Sequence, residues 1–165
     1  MTATPRFLFP FLSPGQSQKE LFHNEALQSL DALIAAAVEG LPLAVPPASP
    51  AVGNCYIVAS SPSGAWSGKA HHLANDTSGG WRFIAPRDGV TAYVKSNGVT
   101  AAYRSGTWVI GDLSGAQVSV DGVKVIGARG AAIAAPAGGA TVDAEARAGL
   151  GLVLAALRTH GLIAT

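Results

Sequence analysis

Apolar and polar positions alternate in short runs through the middle of the chain and change to three- and four-residue steps towards both ends. Tyr56-Ile57-Val58, Thr91-Ala92-Tyr93-Val94 and Thr100-Ala101-Ala102-Tyr103 are short β-type segments. Turn clusters separate them: Ser63-Gly64, Ser78-Gly79-Gly80, Ser96-Asn97-Gly98 and Ser105-Gly106. Short runs rich in Val, Thr, Tyr and Trp, bounded by Gly, Ser and Asn, predict antiparallel hairpins. Asn97-Gly98 is the strongest turn signal, because this pair tolerates the two positive φ angles of a type I′ turn. Val118, Val120, Val123, Val125 and Ile126 surround Asp121-Gly122, which predicts a further hairpin over Gln117–Ile126. Residues 53–126 therefore read as one β-rich module.

The helical period governs 17–40 and 141–165. Ser17 and Glu20 have capping-box spacing. Leu21, Phe22, Ala26, Leu27, Leu30, Leu33, Ile34, Ala37 and Val38 then form a broad apolar stripe, with Gly40 as the expected C-cap and Pro42 preventing continuation. In the second helix Thr141 or Asp143 caps the start, and Glu145 suits the positive end of the dipole. Ala146, Leu150, Val153 and Leu157 keep coiled-coil spacing. Gly149 and Gly151 weaken this helix by about 1 kcal/mol each, so it needs packing, either on the β-module or on itself. Residues 1–16, with Pro5, Pro10 and Pro14, form an extended arm whose Phe7, Phe9 and Phe11 fold back on the domain or dock on a neighbour. Residues 41–52 are a proline-rich linker and 127–140 an Ala/Gly connector. The expected fold is α+β: a small antiparallel β-module flanked by an amino-terminal and a carboxy-terminal helix.

Composition changes this picture in one respect. The chain has 165 residues, 48% hydrophobic and only 13% charged, with a net charge of +1. Two apolar helices on so weakly charged a chain predict burial between subunits, hence a homo-oligomer. There is no Lys/Arg surplus for nucleic acid and no apolar run long enough for membrane insertion. The start of the sequence has no signal-peptide pattern, so synthesis in the cytoplasm is expected.

Candidate chemistry is sparse. No metal site, cofactor or catalytic residue is expected. The single Cys55 reads as a buried thiol. His71 and His72 are neighbours, which on a strand face opposite sides. Asp76, Asp88 and Asp112 all fall in expected turns, unsuited to a paired-carboxylate hydrolase. No nucleophile elbow, zinc helix or phosphate loop occurs, so an enzyme is not expected. The aromatic residues Trp66, Trp81, Tyr93, Tyr103 and Trp108 are candidates for stacking on sugar rings, with burial in the core as the alternative. Phe7, Phe9, Phe11, Leu150, Val153 and Leu157 are the candidate assembly interface.

Several stretches carry a resemblance. Ser13-Pro14-Gly15-Gln16-Ser17-Gln18-Lys19, His23-Asn24-Glu25-Ala26-Leu27, Leu30-Asp31-Ala32-Leu33, Gly64-Ala65-Trp66, Pro86-Arg87-Asp88-Gly89 and Gly106-Thr107-Trp108 stand along the first two thirds of the chain. Thr141-Val142-Asp143-Ala144-Glu145-Ala146-Arg147 and Leu157-Arg158-Thr159-His160-Gly161 stand in its tail. Together these resemble a family of phage-type domains of unknown function from alphaproteobacterial prophages and gene transfer agents. The resemblance implies a virion component, such as a spike, fibre or tail-tip subunit, expected as a trimer. Its implied partners are other virion structural proteins and host surface glycan. It implies no catalytic residues.

Overall fold

The computed structural model describes residues 3–12, 15 and 19–165. It divides into two compact units, Met1–Asp112 and Leu113–Thr165. The fold is α+β and β-rich, as expected. Ser17, the expected N-cap, lies outside the described residues.

The first unit contains α1 (Lys19–Leu33), β1 (Ala37–Val38), β2 (Cys55–Ile57), a single 3-10 turn (Gly64–Trp66), β3 (Leu73–Thr77), β4 (Gly80–Ile84), β5 (Thr91–Val94), β6 (Val99–Arg104) and β7 (Thr107–Ile110). Its strands form two sheets, ordered β1-β5-β6-β7 and β2-β3-β4. All pairings are antiparallel except β1 with β5, which run parallel.

The helix expected over 17–40 ends at Leu33. Ala35 has a positive φ of 45°, which reverses the backbone. The next residues then enter the sheet. The Tyr93 amide donates to Ala36 O and the Lys95 amide to Val38 O, while the Glu39 amide donates to Cys55 O on the other side. This segment thus ties the two sheets together, and Ala36 and Val38 are buried between them. Alanine and valine satisfy a helical stripe and a buried strand equally well, and the long-range hydrogen bonds decide in favour of the strand.

The linker is also more than a surface crossing. The Leu43 amide donates to Ile57 O, the Ala59 amide to Leu43 O and the Ser63 amide to Ala44 O, so the chain pairs alongside the end of β2 between Pro42 and Pro46.

Turn chemistry falls on a different hairpin from the one expected. Val94 pairs with Val99 across a four-residue loop, in which Gly98 has a positive φ and Asn97 does not. The two-residue turn with both angles positive is Ser105-Gly106, at 49° and 84°, joining β6 to β7. That pattern matches the right-handed twist of the paired strands.

Strand alternation places two apolar layers on β2-β3-β4. On one face Cys55, Ile57 and Leu73 pack with Val38, Ala92, Val94, Ala101 and Trp108 of the neighbouring sheet. On the other, Tyr56, Val58 and Ala74 pack with Trp66, Trp81 and Phe83. Cys55 is fully buried, as expected for a packing thiol, and burial pushes its pKa up to about 11.

The arm folds back on α1 of its own unit. The buried Asp31 carboxylate accepts from the Thr4 hydroxyl at 2.7 Å and from the amides of Arg6 and Phe7 at 3.0 and 2.7 Å. The Arg6 guanidinium donates to the carbonyls of Asp31, Ala32 and Ala35, capping the end of the helix. Asn24 accepts from the Leu12 amide and donates to its carbonyl.

The second unit contains β8 (Val118–Val120), β9 (Val123–Ile126) and α2 (Ala144–Thr159). The hairpin therefore belongs with the carboxy-terminal helix rather than with the 53–112 strands. Asp121 and Gly122, at 49° and 78°, make the expected type I′ turn. The Asp143 side chain caps α2 by accepting from the Ala146 amide at 2.9 Å. After the helix, Gly130 and Ile163 form a parallel bridge. Among the described residues of this unit, only Leu154 and Ile163 are buried apolar side chains.

Candidate functional site

The five aromatic candidates do not converge on one surface. Trp66 is 0% exposed, held by the 3-10 turn with its ring 5.1 Å from Trp81 and 5.9 Å from Tyr56. Trp108 is also buried, and its indole N–H donates to His71 O at 2.8 Å. Tyr103 is half-buried edge-on against Trp108, and Trp81 is half-buried edge-on against Tyr56 and Trp66 in the other layer. Tyr93 alone among the five is solvent-facing, at 50%. Stacking on a sugar needs an open ring face, so Trp66 and Trp108 are removed from that role by their packing.

The assembly candidates are more accessible. Phe7 is exposed and stacks on the half-buried Phe9 at 6.0 Å, with the Arg6 guanidinium 5.3 Å above its ring. Phe11 is half-buried. Leu150 and Val153 are exposed on α2, with Leu157 half-buried.

Helix α1 presents its faces the opposite way round from a simple amphipathic expectation. Phe22, Leu30, Leu33 and Ile34 are exposed, Phe22 at 76%. The sheltered face carries Glu20, Asn24, Leu27, Gln28, Asp31 and Ala32. Spacings of three and four residues put these on one side of the helix. Asn24 and Asp31 face inward because they hold the arm. Glu20 and Gln28, between and beyond them, are drawn to the same side.

A cleft of about 460 Å³ lies along this polar face, lined by Glu20, Leu21, Asn24, Glu25 and Gln28 of α1 and by Arg82 of β4. Arg82 NH2 stands 3.7 Å from the Glu25 carboxylate. The other Arg82 contacts are long, 3.4 Å to its neighbour Trp81 O and 3.5 Å to Gly79 O. Three polar atoms of the residues that line the cleft are themselves buried and have no hydrogen-bond partner among the described residues: Glu20 Oε2, Gln28 Oε1 and Arg82 Nε. Asn75 is the register partner of Arg82 on β3, is almost fully buried, and also has an unpartnered Oδ1.

A family model described as a protein of unknown function, DUF2793, matches residues 23–109. The chain belongs to the DUF2793 family. The match begins within α1 and ends within β7, so it takes in most of the helix, the strands of both sheets and Arg82, and stops before the second unit. Within the cleft, Asn24, Glu25, Gln28 and Arg82 fall inside the DUF2793 match and Glu20 lies just ahead of it. No curated protein matches the chain.

The cleft was missed by sequence reasoning. The spacing of Ser17 and Glu20 assigns Glu20 to a capping box, and no sequence motif singles out Gln28 or Arg82. The available signal was the polar spacing Glu20, Asn24, Gln28, Asp31 at steps of four, four and three.

Proposed function

We propose that the chain is a structural subunit of a phage or gene-transfer-agent particle, built as a homo-oligomer, expected as a trimer, and contributing to attachment at the host surface. The observation that carries the assembly half is the outward turn of the apolar face of α1: Phe22, Leu30, Leu33 and Ile34 lie open to solvent while the polar face is sheltered. Monomeric proteins rarely leave contiguous large apolar patches uncovered. The second unit supports the same reading. Val118, Val120, Val123, Val125 and Ile126 are all exposed on an isolated two-stranded hairpin, which has little stability by itself. The two helix glycines add to it: nothing approaches within 4 Å of where a Cβ would stand on Gly149 or Gly151. Such glycines let a second backbone come close.

The particle context rests on the resemblance of the amino-terminal and tail motifs. Other virion structural proteins are the proposed neighbours, the virion the proposed location, and host glycan the proposed receptor. The runner-up reading is a carbohydrate-binding module using exposed aromatics, for which only Tyr93 among the five candidates has an open face.

Light scattering on the purified chain tests the assembly. The expected mass is a multiple of 16.6 kDa, and Phe22→Glu with Leu30→Glu reduces it to the single-copy value. A parent chain that is a monodisperse single copy at high micromolar concentration overturns the reading.

A further inference from the structure

We infer that the Leu113–Thr165 unit acquires its fold only within the assembly, by packing the Leu150, Val153 and Leu157 side of α2 against the same side of α2 in further copies of this chain. The inference rests on the assembly reading and deepens it: it names the surface, the partner and the step at which the unit becomes ordered.

The unit lacks what would hold it by itself. Leu154 and Ile163 are its buried apolar side chains, against twelve large apolar ones left exposed between Leu113 and Leu162. A domain of about 50 residues is marginal even with a complete core. Every residue of β8 and β9 is exposed, and a lone two-stranded hairpin is barely stable in water. Gly149 and Gly151 lower the helix propensity of α2, which at 16 residues is too short to persist without packing. The connector is tied to the helix by arginines. The Arg158 guanidinium donates to Ile133 O at 2.6 Å and the Arg147 guanidinium to Gly138 O. Both bonds are exposed, so water competes for them.

The open side of α2 specifies its cover. Ala146, Leu150 and Val153 are exposed and Leu157 is half-buried. Their four-three-four spacing is that of a seam whose knobs fit the holes of an identical helix. At about 100° per residue, the seam lies roughly a quarter turn from the side bearing Arg147, Leu154 and Arg158, where the connector is tied. Leu150 and Leu157 take a positions and β-branched Val153 a d position, the order that favours three or four strands over two. Charge selects no foreign partner. The unit carries four cations and three acids, and Arg129, Arg147 and Arg158 are held by its own carbonyls. A further copy brings the matching seam, the same shortage of core and no opposing field.

Hydrogen exchange of the full chain, resolved by peptide mass spectrometry with light scattering at each concentration, tests this. Where the mass is a multiple of 16.6 kDa, amides of 118–126 and 144–159 should be protected at least about a hundredfold over unfolded chain. On dilution to the single-copy mass their protection should fall below about fivefold, while β2 to β7 stay protected. Phe22→Glu with Leu30→Glu alters nothing in the second unit, yet should strip protection from 144–159 together with the multimeric mass. Leu150→Asp with Val153→Asp should raise the concentration at which the copies separate at least about a hundredfold, because unpaired carboxylates are costly to bury. The tryptophan-detected melt of that variant should match that of the diluted parent. Leu152→Asp, exposed on α2 away from the seam, should raise the separation concentration less than about threefold. Protection of 144–159 in a single-copy chain overturns the inference. So does a Leu152→Asp effect as large as that of the seam variant. A multimer in which 118–126 and 144–159 exchange freely sinks the inference and leaves the assembly reading standing, whereas a single-copy mass at every concentration removes both.

Discussion

Replacing Asp31 by alanine should release the amino-terminal arm and destabilise the first unit by about 3–5 kcal/mol. The carboxylate is fully buried and accepts three hydrogen bonds, from the Thr4 hydroxyl and the amides of Arg6 and Phe7, at 2.7, 3.0 and 2.7 Å. Removing it leaves two backbone donors without a partner, each costing about 1–3 kcal/mol when still sheltered from water. The Thr4 hydroxyl still accepts from the Phe9 amide, so its own loss is smaller. Thr4→Val, which removes one hydrogen bond to the carboxylate and one acceptor, should cost about 1–2 kcal/mol. Because the two side chains share a bond, the double variant should fall short of the sum by about 0.5–1 kcal/mol. Urea unfolding followed by tryptophan emission is the assay. Trp66, Trp81 and Trp108 all lie in the Met1–Asp112 unit, so the signal reports that unit. A shift below about 0.5 kcal/mol for Asp31→Ala, the range of ordinary surface substitutions, would show that the arm does not hold the helix in place and would refute the reasoning.

Further outcomes follow from other contacts. Trp66→Ala should cost about 3–5 kcal/mol, because the ring is fully enclosed, so any loss of host adsorption by that variant should coincide with unfolding in circular dichroism. The Cys55 thiol, buried and raised from 9.0 to about 11, should resist thiol reagents in the folded chain at pH 8 and react once urea unfolds it. Its folded pKa is the higher one, so the stability it contributes is complete below pH 9 and should be lost between about pH 9 and 11, as the unfolded thiol ionises first; a Cys55→Ala comparison in alkaline urea melts checks this. Gly149→Ala with Gly151→Ala should strengthen α2 by up to about 2 kcal/mol in circular dichroism melts while lowering the oligomer mass in light scattering; an unchanged mass would show that no second backbone approaches there. Gly106→Val, at a φ of 84°, should destabilise the β6–β7 hairpin by about 1–2 kcal/mol in the same tryptophan-detected melts.

The sequence by itself determined the local architecture. The alternation of Thr91–Val94 and Val99–Arg104 and the turn glycines at 98, 106 and 122 specify hairpins through contacts between near neighbours, as does the Asp143 cap of α2. Only the tertiary structure decided the points at which local signals are degenerate. Ala36–Val38 fits a helical stripe or a strand, and hydrogen bonds to Tyr93, Lys95 and Cys55 select the strand. Asn97-Gly98 and Ser105-Gly106 are both competent turns, and the register of β5, β6 and β7 selects the second for the tight one. The inward face of α1 follows from a buried carboxylate meeting an arm some 25 residues away, which no periodicity encodes. The same holds for the cleft: Glu20 and Arg82 are 62 positions apart, the difference of their numbers, and come together only because strand pairing carries β4 beneath the helix. Short-range preferences act through dihedral angles and neighbouring side chains and are therefore written locally, whereas burial and polar pairing depend on which distant segments close the same volume.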